Sequence, residues 1–262
     1  MNKLLKYTAI SLGMLVGLPA CEVERLPETA ISDQTYWRSE GDLKFAANYL
    51  YTYLPTFGTL TPQGYSTTYN VTYASEDVWS DDAFGLASNS ISDGSRLAPA
   101  TDANYTANYL LIRAANNLIE KAPRAAANTA QSIIDRYVAE ARFFRAFGYY
   151  NLVQRFGDVP LILKTLDETS AELNEPASPR AAIFDQIYQD LDYAAQKLPT
   201  PTVLGTADYG RISNTAALAF KARVALFEGT RSKYHNYGEP TKHLKAAVDS
   251  YKAVIDSKQH EL

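Results

Sequence analysis

AEARFFRAFGYYNLVQRFGDVP, residues 139–160, is the stretch whose pattern decides the fold. At 100° per residue it has two apolar sides. Ala139, Phe143, Ala146, Tyr150 and Val153 share one, and Ala141, Phe144, Gly148 and Leu152 lie nearly opposite. Glu140, Asn151 and Gln154 fill one gap between them, and Arg142 and Arg145 sit around the other. A helix apolar on two sides has to be sandwiched between neighbours on both. Its small residues, Ala141, Ala146 and Gly148, would let another backbone come close, as an inner helix of a stacked array requires. Gly157-Asp158 with Pro160 should stop it, because Gly suits a left-handed C-terminal position and Pro cannot continue the helix.

Residues 210–229, GRISNTAALAFKARVALFEG, repeat that outline at an offset of 76. Ala217, Phe220, Lys221 and Ala222 align with Ala141, Phe144, Arg145 and Ala146. Ala216, Phe220, Val224 and Phe227 oppose Leu218, Ala222 and Ala225. Each inner helix has an amphipathic successor. The first carries Ile183, Ile187, Leu191, Ala194 and Leu198, ended by Pro199 and Pro201. The second carries Leu244, Ala247, Tyr251 and Val254, and its Ala247-x3-Tyr251 spacing echoes the second helix of a tetratricopeptide unit. Two helix pairs with variable inserts make an imperfect solenoid, so the expected class is all-α, tetratricopeptide-like and α-solenoid-like.

Upstream, Ser39 with Asp42 reads as a capping-box variant opening a helix near Glu40, with Leu43, Ala46, Ala47, Leu50 and Leu54 at helical spacing before Pro55. Tyr105, Tyr109, Ile112, Asn116 and Ile119 predict another over residues 103–121, closed by Pro123. An Asn on that buried stripe should bond neighbouring backbone. Arg142, Arg145, Tyr149 and Asp158 read as braces between helices, since buried charges in such arrays are normally paired.

Between the first two helices, residues 58–100 lose periodicity. Tyr65, Tyr69, Tyr73, Trp79 and Phe84 alternate with Gly, Ser, Thr, Asn and Asp, and Asp77, Asp81 and Asp82 accompany the rings. An irregular segment of this length within a folded chain is commonly functional. Aromatic platforms beside carboxylates commonly hold carbohydrate by stacking and hydroxyl hydrogen bonds. The other reading is a long loop with its rings tucked under. Tyr69, Tyr73, Asp77, Trp79 and Asp81 are the candidate ligand contacts. The chain's 19 Tyr against 2 Trp and 2 Met are consistent with a binding surface, with helix packing, the hydroxyl reaching water, the commoner role for any single Tyr.

The N-terminus has a basic start at Lys3 and Lys6, an apolar run over 7–18 too short to span a bilayer, and Leu18-Pro19-Ala20-Cys21. It resembles a bacterial lipoprotein signal, with Pro19 an unusual occupant. Residues 1–20 are expected to be cleaved, Cys21 to carry lipid, and residues 21–35 to form a tether. Cys21 is the chain's single cysteine, which excludes an intramolecular disulfide. Glu22 and Glu24 resemble the acidic export tags of surface lipoproteins in Bacteroidota-type bacteria.

A net charge of −4 supplies no attraction for nucleic acid. His235, His243 and His260 lack metal-ligand spacing, and phosphate loops and nucleophile elbows are missing. A carboxylate pair such as Asp77 and Asp81 is the nearest thing to a glycosidase centre. No catalytic residue, metal or cofactor is assigned.

LPAC, IRAANNLIE around Asn116, AEARFFRAFGYYNLVQRFGDVPL, RAAIFDQIYQDLDYAAQKLP and GRISNTAALAFKARVALF occur in that order. Together they resemble the SusD/RagB-like outer-membrane lipoproteins of Bacteroidota nutrient uptake. The resemblance implies tetratricopeptide-like pairs scaffolding a less regular ligand-binding region. It also implies an outer-membrane anchor facing the exterior, and a SusC-like TonB-dependent transporter as partner. The ligand would be an oligosaccharide or, in some branches, a peptide; a lipid-anchored scaffold without a small ligand is the alternative. Such proteins are usually about twice this length. Residues 36–262 are therefore expected to form the N-terminal helical domain, stopping before a C-terminal half.

Overall fold

Burial on two sides requires α3, Gln131–Phe156, to have helices on both, and it does. The computed structural model describes residues 33, 35–54, 60–61, 64–65 and 90–261. Its helices all lie in one unit, Trp37–Leu262. They are α1 (Glu40–Tyr51), α2 (Ala103–Lys121), α3, α4 (Arg180–Lys197), the single-turn α5 (Pro201–Leu204), α6 (Asn214–His235) and α7 (Pro240–Asp256). Among the described residues the only ladder is β1 (Leu60–Thr61) against β2 (Gly64–Tyr65), antiparallel and two residues long. The class is all-α, as the periodicity predicts.

The packing order follows the chain. α1 lies on α2 and α3, α2 on α3, α3 on α4, α4 on α6, and α6 on α7. The hairpins α3/α4 and α6/α7 are thus the two units of the 76-residue repeat. Aromatic rings join their inner helices: Phe220 meets Phe143, Phe147 and Tyr150 at 5.4–5.7 Å, and Phe227 meets Tyr150 at 5.6 Å. Edge-to-face and tilted ring pairs of this kind add about 0.5–1.5 kcal/mol each beyond their buried area.

Local signals match their elements at α1 and α4. The Ser39 hydroxyl accepts from Asp42 N, and the Asp42 carboxylate accepts from Ser39 N, closing the capping box. The stripe Ile183, Ile187, Leu191, Ala194 and Leu198 is buried throughout.

Elsewhere the structure departs from the expected pattern. α3 begins at Gln131, eight residues before the two-sided pattern; α2 does end at Lys121 as expected, with Pro123 inside the 3-10 turn Ala122–Ala127 that follows. Proline fits there because the first turn needs no donor from it. Gly157 ends α3 with φ 79° and ψ −124°, outside the left-handed helical well but still a backbone only Gly adopts readily. Both gaps of α3 hold buried charge, Glu140 and Arg145. On α6 neither side is fully covered: Ala216, Phe220 and Phe227 are half-buried on one, Leu218 on the other, and Leu226 is exposed. α7 buries His243, Ala247 and Ser250, leaving Tyr251 exposed.

Two glycines mark the close approaches. A Cβ on Gly148 would sit 3.0 Å from Ile112 Cγ1 on α2. One on Gly229 would sit 2.8 Å from Leu244 Cγ and 3.0 Å from Leu244 N on α7. Because backbone blocks the second, Gly229→Val should cost about 2 kcal/mol by overpacking. Gly41→Ala in the open first turn of α1 should gain about 0.5 kcal/mol. Urea midpoints moving the same way for both would contradict this packing.

His243 shows a pH-linked feature of the second hairpin. Its Nδ1 lies 2.7 Å from the Tyr188 hydroxyl, and its ring stands against Phe184. Burial lowers its pKa from the ordinary 6.5, opposed by Glu228, reinforced by Lys242, and opposed again by Asp185 and Glu239. The native ring is therefore neutral where the unfolded one already protonates, so its contribution is complete above about pH 6.5 and declines as pH falls through that value. Melting temperature should drop between pH 7.5 and 5.5, and His243→Gln should flatten that part of the profile.

Candidate functional site

The side chains that organise the surface do so by holding backbone that has no ladder of its own. Residues 160–166, which follow α3, cross the outer face of α2 as an extended strap. Tyr109 Oη donates to Pro160 O at 2.7 Å, and Asn116 Nδ2 donates to Ile162 O and Lys164 O, both at 3.1 Å. Arg113 Nη1 donates to Leu166 O, and Glu120 Oε1 accepts from Thr165 N at 2.7 Å. From α3, the Tyr149 hydroxyl donates to Ile162 O at 2.7 Å and accepts from Ile162 N at 2.6 Å. Burial pushes the pKa of Tyr109 and of Tyr149 upward, so both stay neutral and able to donate.

Asn116 connects this strap to the buried charge of the core. Its Oδ1 accepts from Arg145 Nη1 at 2.9 Å, while Arg145 Nε and Nη2 form a fork on Asp190 at 2.8 and 2.7 Å. Arg145, Asp190 and Asn116 are all buried, and come from α3, α4 and α2. A second fork joins Arg180 of α4 to Glu228 of α6 at 2.7–2.9 Å, while Asp158 accepts from Arg180 N at 2.9 Å. Arg142 lies 4.2 Å from the Tyr193 ring centroid. All four predicted braces thus hold helices or strap together.

Two depressions result. The larger, about 300 Å3, lies between α2 and the strap, with Tyr105, Tyr109, Ile112, Leu166 and Leu173 among its walls and Arg113, Lys164 and Glu172 at its rim. Lys164 and Glu172 form an ion pair. The smaller, about 260 Å3, is lined by Asn48, Tyr51, Tyr209, Gly210 and Arg211, where the loop before α6 meets α1. Both could receive a polar ligand with one flat apolar side. Cys21, Tyr69, Tyr73, Asp77, Trp79 and Asp81 lie outside the described residues.

Neither depression was marked by sequence. The holders of the strap could have been suspected from the density of hydrogen-bonding side chains in IRAANNLIE, but their targets lie about 45 residues away. Among the described residues, no group of three or more His, Cys, Asp or Glu could hold a metal, and no helix is long and apolar enough to cross a membrane.

A helical-repeat scaffold with pinned irregular segments and shallow polar-aromatic depressions offers surfaces on which a ligand could rest. Residues 33–226 match the SusD-like family model described as starch-binding and associating with the outer membrane, and the chain belongs to that family. A SusD-like protein of Formosa agariphila is 30% identical over 224 residues, covering 83% of this chain and 41% of its own length. This chain therefore spans about two fifths of that relative. A SusD-like protein of Bacteroides fragilis has the same fold, with a TM-score of 0.60 at 23% identity over 91% of this chain and 42% of its own. So does a structure described as a laminarin-binding SusD-like protein, with a TM-score of 0.63 at 24% identity over 83% and 43%.

The Arg145–Asp190 fork should carry a disproportionate share of the site's order. Asp190→Ala leaves a buried guanidinium unpaired and should cost about 3–5 kcal/mol. Backbone amides of 162–166 should then exchange faster with solvent, since Asn116 loses its fixed partner. Combining R145M with D190L should recover part of the loss. Exchange in the strap unchanged by Asp190→Ala would uncouple the strap from the core.

Proposed function

We propose that this chain is the glycan-capturing, helical part of a lipid-anchored outer-membrane protein. The observation that carries the reading is family membership over residues 33–226, with its starch-binding, outer-membrane description. SusD-like proteins bind rather than cleave, and capture without turnover is the activity proposed here. Cys21 is the lipidated residue, the anchored protein faces the cell exterior, and the captured oligosaccharide passes to a SusC-like TonB-dependent transporter. Lipid chains contribute about 0.8 kcal/mol per buried CH2, enough for a durable anchor when several are attached.

Ligand contact is assigned first to Tyr69, Tyr73, Asp77, Trp79 and Asp81, the rings stacking on sugar faces and the carboxylates accepting hydroxyls. Stacking tolerates many sugars, so specificity comes from the arrangement of hydrogen-bonding groups around the rings. The pinned strap and the forks beneath it support this reading, because a rigid scaffold lowers the ordering cost of binding.

The chain's two tryptophans make a direct test, since Trp37 is buried and Trp79 belongs to the proposed site. Titration with starch-derived or laminarin-derived oligosaccharides should change tryptophan fluorescence in the native chain, and Trp79→Phe should abolish the change while weakening binding about tenfold or more. Sugar release during the titration would make the protein an enzyme, and binding of peptides alone would replace the glycan. Cys21→Ser should move the protein from the membrane to the soluble fraction.

A further inference from the structure

The loop between α5 and α6 is held at two points and presents a ring between them. Asp208 receives Arg136 Nη2 of α3 at 2.6 Å and Lys44 Nζ of α1 at 2.9 Å. Arg136, then Lys44, hold its carboxyl down at about 2, so the anchor stays charged under all ordinary conditions. Three residues on, Arg211 Nη1 and Nη2 donate to Asn48 Oδ1 at 3.1 and 2.9 Å, and Nη1 reaches Glu140 Oε2 at 3.3 Å. Its guanidinium also packs against the Tyr51 and Tyr137 rings, 5.3 and 5.6 Å from their centroids. Ile212 N then donates to the Tyr51 hydroxyl at 3.0 Å.

Tyr209 stands between these anchors and is 92% exposed. A tyrosine is ordinarily laid down over apolar surface with its hydroxyl reaching water. Here α1 offers such surface, with Phe45 and Tyr49 themselves exposed on its outer side. Gly210, at φ +90°, takes a backbone shape that Gly adopts readily and bulkier residues do not. The anchored backbone fixes where the ring is presented, so a ligand has only the side chain's own rotation to still.

The polar groups beside it have capacity to spare. Asn48 Oδ1 is occupied by Arg211, which orients the amide and leaves Nδ2 as a donor. The Tyr209 hydroxyl adds a donor and acceptor. An aromatic face flanked by fixed donors is the chemistry that recognises a pyranose: its C–H face stacks on the ring and its hydroxyls meet the amide. At about 260 Å3, below the range of about 300–1,000 Å3 for drug-sized ligands, the depression suits one ring rather than an enclosed chain.

We infer that Tyr209, with Asn48 and the edge of Arg211, forms a one-ring sugar subsite. The subsite rests on the glycan-capture reading above and adds Tyr209 and Asn48 to its candidate ligand contacts.

The full chain in detergent, titrated calorimetrically with laminarin-derived and starch-derived oligosaccharides, tests it. Tyr209→Ala should weaken binding of longer oligosaccharides about fivefold or more, with the melting temperature unchanged because the side chain packs on little. Tyr209→Trp should retain the affinity. Tyr234→Ala, which removes another exposed ring at the C-terminal end of α6, should leave binding as in the native chain. Native-like affinity in Tyr209→Ala overturns the subsite and leaves glycan capture standing. Equal weakening in Tyr209→Ala and Tyr234→Ala also overturns it. A native chain that binds none of the oligosaccharides overturns both readings.

Discussion

The guanidinium of Arg145 is a positive charge placed in the middle of a helix that has neighbours on both sides, and the surrounding architecture answers to it. Such a charge is tolerated only with its donors occupied. The fork on Asp190 fixes the rotation of α4 against α3, and the bond to Asn116 fixes α2. Asn116 in turn holds the strap, so one buried charge sets the positions of three helices and the groove between α2 and residues 160–166.

The same device recurs with different partners. Arg180 on Glu228 joins the first hairpin to the second, and Arg211 with Glu140 joins the loop before α6 to α1 and α3. Burial pushes the pKa of Glu140 up, opposed by Arg211, the Tyr51 hydroxyl and Arg136. At the repeat position equivalent to Arg145 stands Lys221, paired with Asp192, whose side chain is about half exposed. The second unit replaces a buried fork by a surface pair, in keeping with the exposed Leu226, Val248, Tyr251 and Ile255 on α6 and α7.

For the proposed glycan capture this construction has a functional meaning. Stacking interactions with sugars are individually modest, so affinity depends on rings and amides being in place before the ligand arrives. The strap, the anchored loop and the capped helices keep irregular backbone still without a sheet to support it. Membership of the SusD-like family places this scaffold among proteins described as starch-binding and outer-membrane-associated.

Helical class, the 76-residue repeat, the capping box at Ser39 and the stripe of α4 were legible because each depends on neighbours within a turn or two. The two apolar sides of α3 also showed that it is an inner helix. Sequence reads Arg145 as a brace between helices, but it names no partner for it and gives no sign that Glu140 is buried as well, since a charge on a helix reads as solvent-facing until its partner is known. The partners, Asp190 and Arg211, lie 45 and 71 residues away. For the same reason nothing in the sequence singles out Tyr209 among loop residues, or residues 160–166 as a strap. Periodicity is a local property and the chain carries it openly. Which charges meet, and which rings are left in the open, is decided only when distant helices pack.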